Sequence, residues 1–158
     1  MIKDKNVIMV VDPGMLENQD ILVDALREDG LSVKDVNIIC ITHGHMDHYR
    51  NIGMFPVAKS LDHGGLYFGN RAVDWEEQFT KNIRIVRTPG HSYDGITLFV
   101  KTDKGIIAVC GDVFWRENFP TDDPYASDKE KLGESRKKVL EIADWVIPGH
   151  GGMFKVIK

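Results

Sequence analysis

Ile38-Ile39-Cys40-Ile41-Thr42-His43-Gly44-His45-Met46-Asp47-His48 decides how the rest of this chain reads. A run of four apolar residues, three of them β-branched, leads directly into three histidines and an aspartate. The run predicts a buried strand. It must stop at Gly44, because so dense a polar cluster cannot continue into a core. Residues two apart in an extended segment point to the same side, so His43 and His45 present their imidazoles together. Asp47 and His48 are adjacent and converge only where the backbone turns, as at the start of a helix. The stretch therefore offers two pairs of ligands aimed at two neighbouring points. Imidazole suits zinc, iron, copper and nickel, and the added carboxylate suits zinc or iron. A solvated, histidine-rich loop is the competing reading. Four potential ligands at one strand end weigh against it.

Upstream, Val7-Ile8-Met9-Val10-Val11 is a continuous apolar run closed by Asp12-Pro13-Gly14, which predicts a central strand and a turn. Asp12 either supports a metal site from behind its ligands or organises the turn. Residues 17–29 carry a helical stripe at Ile21, Leu22, Ala25 and Leu26, with Gly30 placed to end it. This strand, turn and helix lack G-x-G-x-x-G, so a dinucleotide fold is excluded. Downstream of His48, residues 49–53 predict a brief helix, and residues 57–60, 65–68 and 83–86 predict strands. His63 lies in a Gly-rich turn and reads as a surface residue.

Three further strand ends carry chemistry. Thr88-Pro89-Gly90-His91 stands between the strands predicted at 83–86 and 96–100. The strand predicted at 105–110 breaks at Gly111-Asp112, and Trp145-Val146-Ile147 enters Pro148-Gly149-His150. Each signal is weak alone. Residues 114–128 hold aromatics, prolines and acids without periodicity, which predicts a long loop over the site. A helix is predicted over 128–143.

Composition is that of an ordinary globular chain, and 158 residues predict one domain over 1–158. The net charge of −4 argues against general nucleic-acid binding through a basic surface, though two bound divalent cations would cancel it. Cys40 and Cys110 sit in apolar runs without metal-ligand spacing and read as buried free thiols of a reducing compartment. No apolar run is long enough to span a membrane, and the first five residues lack a signal-peptide core. A cytoplasmic location with no membrane partner is the expectation.

Taken in order, H-x-H-x-D-H, Pro-Gly-His, Gly-Asp and a second Pro-Gly-His resemble the metallo-β-lactamase superfamily, from Val7 onward. The resemblance implies an α/β fold, a four-layer αββα sandwich with a binuclear site at one edge of the sheets. It implies that His43, His45 and His91 hold one metal, that Asp47, His48 and His150 hold the other, and that Asp112 bridges them. Asp12 matches the family's Asp-x-Gly turn and, with Thr42, would support the ligands. The continuation through Asn51 and Phe55-Pro56 is similar to the group around metallo-β-lactamase domain-containing protein 1 rather than to the antibiotic-degrading lactamases.

Departures from the family pattern also carry expectations. Only six residues precede the first recognisable strand, so part of the usual N-terminal hairpin is expected to be missing. The sheet edge left bare would favour a homodimer. The helical extension of glyoxalase II enzymes and the insertion of RNA-processing β-CASP enzymes are not seen. His45 stands where oxygen-reducing diiron relatives carry Glu.

The implied function is hydrolysis of an ester, thioester, lactone or phosphodiester by hydroxide held between two divalent metals, zinc first, with iron or manganese as substitutes. Asp47 would both bind metal and take the proton of the attacking water, the chain's catalytic side chain. The partner would be a small molecule or a nucleic-acid strand. Tyr93, Phe114 and Trp115 are candidates for the substrate pocket, with Tyr49 and Tyr125 also near ligands, and Arg50, Arg87 and Arg116 are candidates for an anionic group. Two other readings stay open: a mononuclear iron dioxygenase acting on a persulfide, and a metal-binding module without catalysis.

Overall fold

The strand Val7–Val11 (β2) lies between a short partner, Ile2–Asp4 (β1), and the strand Ile38–Cys40 (β3). The computed structural model describes residues 1–158, which divide into two compact units, Met1–Asp74 and Trp75–Lys158.

In the first unit Lys59–Asp62 (β4), Gly65–Phe68 (β5) and Arg71–Val73 (β6) complete a six-stranded sheet in chain order. β2, β3 and β4 run parallel, with Val10 opposite Ile39 and Val11 opposite Cys40, whereas β1, β5 and β6 are antiparallel to their neighbours. β2 and β3 are apolar along their length, with Met9, Val10 and all of β3 buried, whereas β4 buries only Leu61. On one face Val10, Ile39 and Ile41 pack with Leu26, Val36 and Phe55. Leu26 comes from the helix Asp20–Glu28 (α1), whose Leu22 also joins the cluster. Burial of each such aliphatic side chain contributes about 1.5–3 kcal/mol. Met9, Cys40 and Leu61 are fully buried on the other face.

The second unit is built on Ile83–Arg87 (β7), Ile96–Thr102 (β8), Gly105–Val109 (β9), Trp145–Ile147 (β10) and Phe154–Lys155 (β11). Its sheet runs β11-β10-β9-β8-β7, antiparallel except for the β9–β10 pair. That parallel pair needs a crossover, supplied by the helix Lys129–Ile142 (α3). Leu132, Val139 and Ala143 pack on Val86, Phe99, Ala108 and Val146 of the sheet.

The structure differs from the sequence reading at several boundaries. A short helix begins at Met46 (α2, Met46–Tyr49), and a separate 3-10 turn covers Ile52–Met54 in place of one helix over 49–53. α1 starts at Asp20 because Asn18 Oδ1 accepts the Asp20 N–H at 2.9 Å, which ties the preceding residues into a turn. β4 starts at Lys59, since the Ala58 N–H bonds back to the Phe55 carbonyl at 3.1 Å around Pro56. β1, β6 and β11 carry too few apolar residues to be read. β1 pairs along β2 from Ile2 to Asp4, so β1 and not β2 forms the edge of this sheet. Residues 114–128 are irregular, as expected, apart from one bridge between Arg116 and Phe119. Both cysteines are buried free thiols, and burial pushes the Cys40 thiol well above its ordinary pKa. No helix is long and apolar enough to cross a membrane.

Candidate metal centre

Each unit gathers histidines and carboxylates at its strand ends. In the first, β3 hands on to Ile41, whose N–H still bonds to Leu61, and then to Thr42 and His43, both buried. His45 remains extended and serves as the N-cap of α2, so the backbone turns between the two ligand pairs. Asp47 falls in the first turn of α2 and His48 follows it. The rings of His43 and His48 are 4.2 Å apart, and His43 Nε2 lies 3.0 Å from His45 Nδ1. His48 Nε2 is 3.8 Å from Asp47 Oδ2.

Asp12 organises this half. Its backbone is left-handed, φ 47°, a conformation an aspartate tolerates better than most residues. One carboxylate oxygen accepts the Thr42 N–H at 2.8 Å, and the other accepts the Thr42 hydroxyl at 2.6 Å and His48 Nδ1 at 2.9 Å. The hydroxyl proton is thereby committed to Asp12, so Thr42 Oγ1 accepts from His43 Nδ1 at 3.1 Å. A neutral imidazole carries one N–H, and placing it at Nδ1 leaves the lone pair at Nε2 in both His43 and His48. The turn also pins α2, because the Gly14 N–H bonds to the His48 carbonyl and the Asn51 N–H to the Gly14 carbonyl. Asp12 thus ties the turn to both Thr42 and His48.

The second unit repeats the pattern. His91 follows Pro89-Gly90 after β7, Asp112 sits in a 3-10 turn after β9, and His150 follows Pro148-Gly149 after β10. Asp112 Oδ2 lies 3.4 Å from His91 Nε2 and 3.3 Å from His150 Nε2. His91 Nδ1 donates to Asp123 Oδ2 at 2.6 Å, which commits that ring to a lone pair at Nε2. A carboxylate oxygen and an imidazole lone pair at this separation repel unless a cation, either a proton or a metal ion, lies between them. Imidazole nitrogens with carboxylate oxygens are the donor set that zinc and iron take, so the residues fit such a metal.

Trp115 stands beside this cluster, its ring 6.2 Å from those of both His91 and His150. Tyr125 stacks on it at 5.7 Å. Phe114 instead packs against the unit's core, edge-on to Phe154 with the Arg136 guanidinium over its face. Tyr93 is 80% exposed. Arg87 and Arg116 lie over the rings of Trp75 and Phe119. Sequence reasoning missed Asp123, one acid among several in an aperiodic segment, for which no local signal exists.

Comparison with known proteins accounts for this arrangement. The family model of the metallo-beta-lactamase superfamily matches residues 1–65. Metallo-beta-lactamase domain-containing protein 1 of Xenopus laevis is 34% identical over 95% of this chain and 69% of its own length. A Methanocaldococcus jannaschii protein named as a metallo-hydrolase is 31% identical over 92% of this chain and 71% of its own. The chain spans 60% of the human counterpart of the Xenopus protein. Among solved structures, a dizinc quorum-quenching lactonase superposes with a TM-score of 0.71 at 16% identity, covering 99% of this chain and 74% of that one. A protein in a di-iron-bound form gives 0.69 at 19%, covering 92% and 83%. These likenesses show the fold, the expected α/β sandwich, while the closer sequence identities carry the family. The chain belongs to the metallo-β-lactamase superfamily of metal-dependent hydrolases.

Proposed function

We propose that the chain is a binuclear metallo-hydrolase acting on an ester, thioester, lactone or phosphodiester. The observation that carries this reading is the position of Asp112. One of its carboxylate oxygens stands 3.4 and 3.3 Å from two histidines that the family pattern gives to different metals. A bridging carboxylate has that position.

By the family pattern His43, His45 and His91 would hold the first metal, Asp47, His48 and His150 the second, and Asp112 would serve both. Two such ions, when bound, would supply water activation near neutral pH and polarisation of the scissile carbonyl or phosphoryl oxygen. The chain's own residues set the geometry. Asp12 and Asp123 hold His48 and His91 by their Nδ1–H groups and so aim the Nε2 lone pairs. The Asp47 side chain is 43% exposed, open enough to take a proton from a reacting water and pass it to solvent. Trp115 and Tyr125, stacked beside His91 and His150, offer an apolar wall for the substrate. Zinc is the proposed metal, since the donors are mostly imidazole and no redox step is required.

The test is an activity panel of aryl ester, thioester, acyl lactone and bis-aryl phosphodiester on zinc-loaded protein. Asp112→Ala should reduce turnover to background in a folded chain. Turnover that survives complete removal of metal would overturn the reading.

A further inference from the structure

Asp123 is 1% exposed and belongs to no motif of the chain. Its two carboxylate oxygens have different duties. Oδ2 accepts from His91 Nδ1 at 2.6 Å, and Oδ1 accepts the Tyr125 N–H at 2.8 Å. Both neighbours are N–H donors, so a side chain with two acceptors is required. An amide would set its NH2 against one of them. Arg136 lies within electrostatic reach of Asp123. Its Nε–H and Nη1–H hold the carbonyls of Val113 and Thr121 at 2.9 and 3.1 Å. The far end of the segment is fixed as well, by the Ser127 N–H on the His91 carbonyl at 3.0 Å and the Asp128 N–H on the Gly90 carbonyl at 2.9 Å. Asp123 is therefore held on both sides of His91 rather than trailing from a loose loop.

We infer that Asp123 is the positioning residue of His91: its carboxylate fixes the Nδ1–H tautomer, orients the ring so that Nε2 faces Asp112, and raises the basicity of Nε2 toward a divalent cation. The inference rests on the proposed metal centre only in taking His91 to be a ligand. A carboxylate behind a ligating imidazole commonly changes metal affinity by 10–100-fold. The change should be confined to the metal that His91 holds, because Asp123 touches no other ligand side chain in its unit.

Zinc competition against a chromophoric chelator, on wild type, Asp123→Asn and Asp123→Glu, tests this on the full chain. Asp123→Asn should weaken one of two zinc sites about 10–100-fold and leave the other unchanged. Circular dichroism of the stripped proteins should match wild type, with the melting temperature of Asp123→Asn lowered by its one mispaired amide. Asp123→Glu, which keeps the charge and both acceptors, should recover most of the affinity. Equal affinity at both sites in wild type and Asp123→Asn would overturn the proposal. If Asp123→Asn fails to fold, nitrogen-15 histidine spectra of the wild-type protein decide instead. They should show His91 protonated at Nδ1 with a low-field proton, and an Nε2–H tautomer would refute it. A wild type that binds no zinc would sink the metal centre, and the tautomer measurement would still judge Asp123 separately.

Discussion

At the scale of the residue, Asp12 shows how a side chain behind the ligands can govern several of them. It receives the Thr42 N–H and hydroxyl and His48 Nδ1, and through Thr42 it sets the orientation of His43. Asp12→Asn should therefore weaken zinc binding by about 10–100-fold in chelator competition, with the fold retained. Unchanged affinity would mean that the histidines are held by something else. Gly149 is a second such position, for steric reasons. A β-carbon there would overlap Asp112 Oδ1 and crowd its Cγ at 3.1 Å, so Gly149→Ala must displace the carboxylate. The expected outcome is a folded chain that binds less metal, read by mass spectrometry. The seven proposed ligand positions could be read because they cluster at the ends of apolar runs in a known order. Asp123 was not, because burial and a partner 32 residues away define it, and neither leaves a local trace. Phe114 was misleading in the same way: proximity to Asp112 in sequence did not prevent it from packing into the core.

At the scale of the element, α3 and the turn carrying His91 form one construction. A β-carbon on Gly90 would collide with the backbone of Leu132 in the helix's first turn, and Gly90 also has φ 136°. Only glycine lets the helix approach this closely. Ser135 Oγ donates to the Pro89 carbonyl at 2.7 Å across the same contact. The helix is capped by Asp128, whose side chain accepts the Lys131 N–H at 3.0 Å. That hydrogen bond holds the Asp128 carboxyl below its ordinary 3.8. A lowered folded-state pKa contributes stability that is complete above the unfolded value and is lost as pH falls through the folded one. Asp128→Ala should lower the melting temperature by a few degrees at pH 7, and the gap to wild type should narrow below about pH 4. A gap that is constant from pH 7 to pH 2 would contradict the capping role. α3, read from its helical stripe, and β8 and β9, read from continuous apolar runs, were predicted to within two residues at each end. Boundaries set by side-chain hydrogen bonds, such as the Asn18 turn before α1, were not.

At the scale of the whole molecule, the proposed ligands divide between the units in chain order. His43, His45, Asp47 and His48 belong to the first, and His91, Asp112 and His150 to the second. Each unit also supplies a carboxylate behind one of its histidines, Asp12 in the first and Asp123 in the second. The family was legible because the spacing of seven ligands is a far more specific signal than any propensity. Substrate identity was not, since a metal centre of this kind serves several bonds and the aromatics and arginines beside it serve packing as readily as binding. The central claim is that this chain carries two metals bridged by Asp112. Metal content per chain, measured by mass spectrometry on protein purified without added metal, tests it most directly. The account predicts about two zinc ions per chain, falling on Asp112→Ala. One iron per chain, with oxygen consumed on a persulfide substrate, would contradict it.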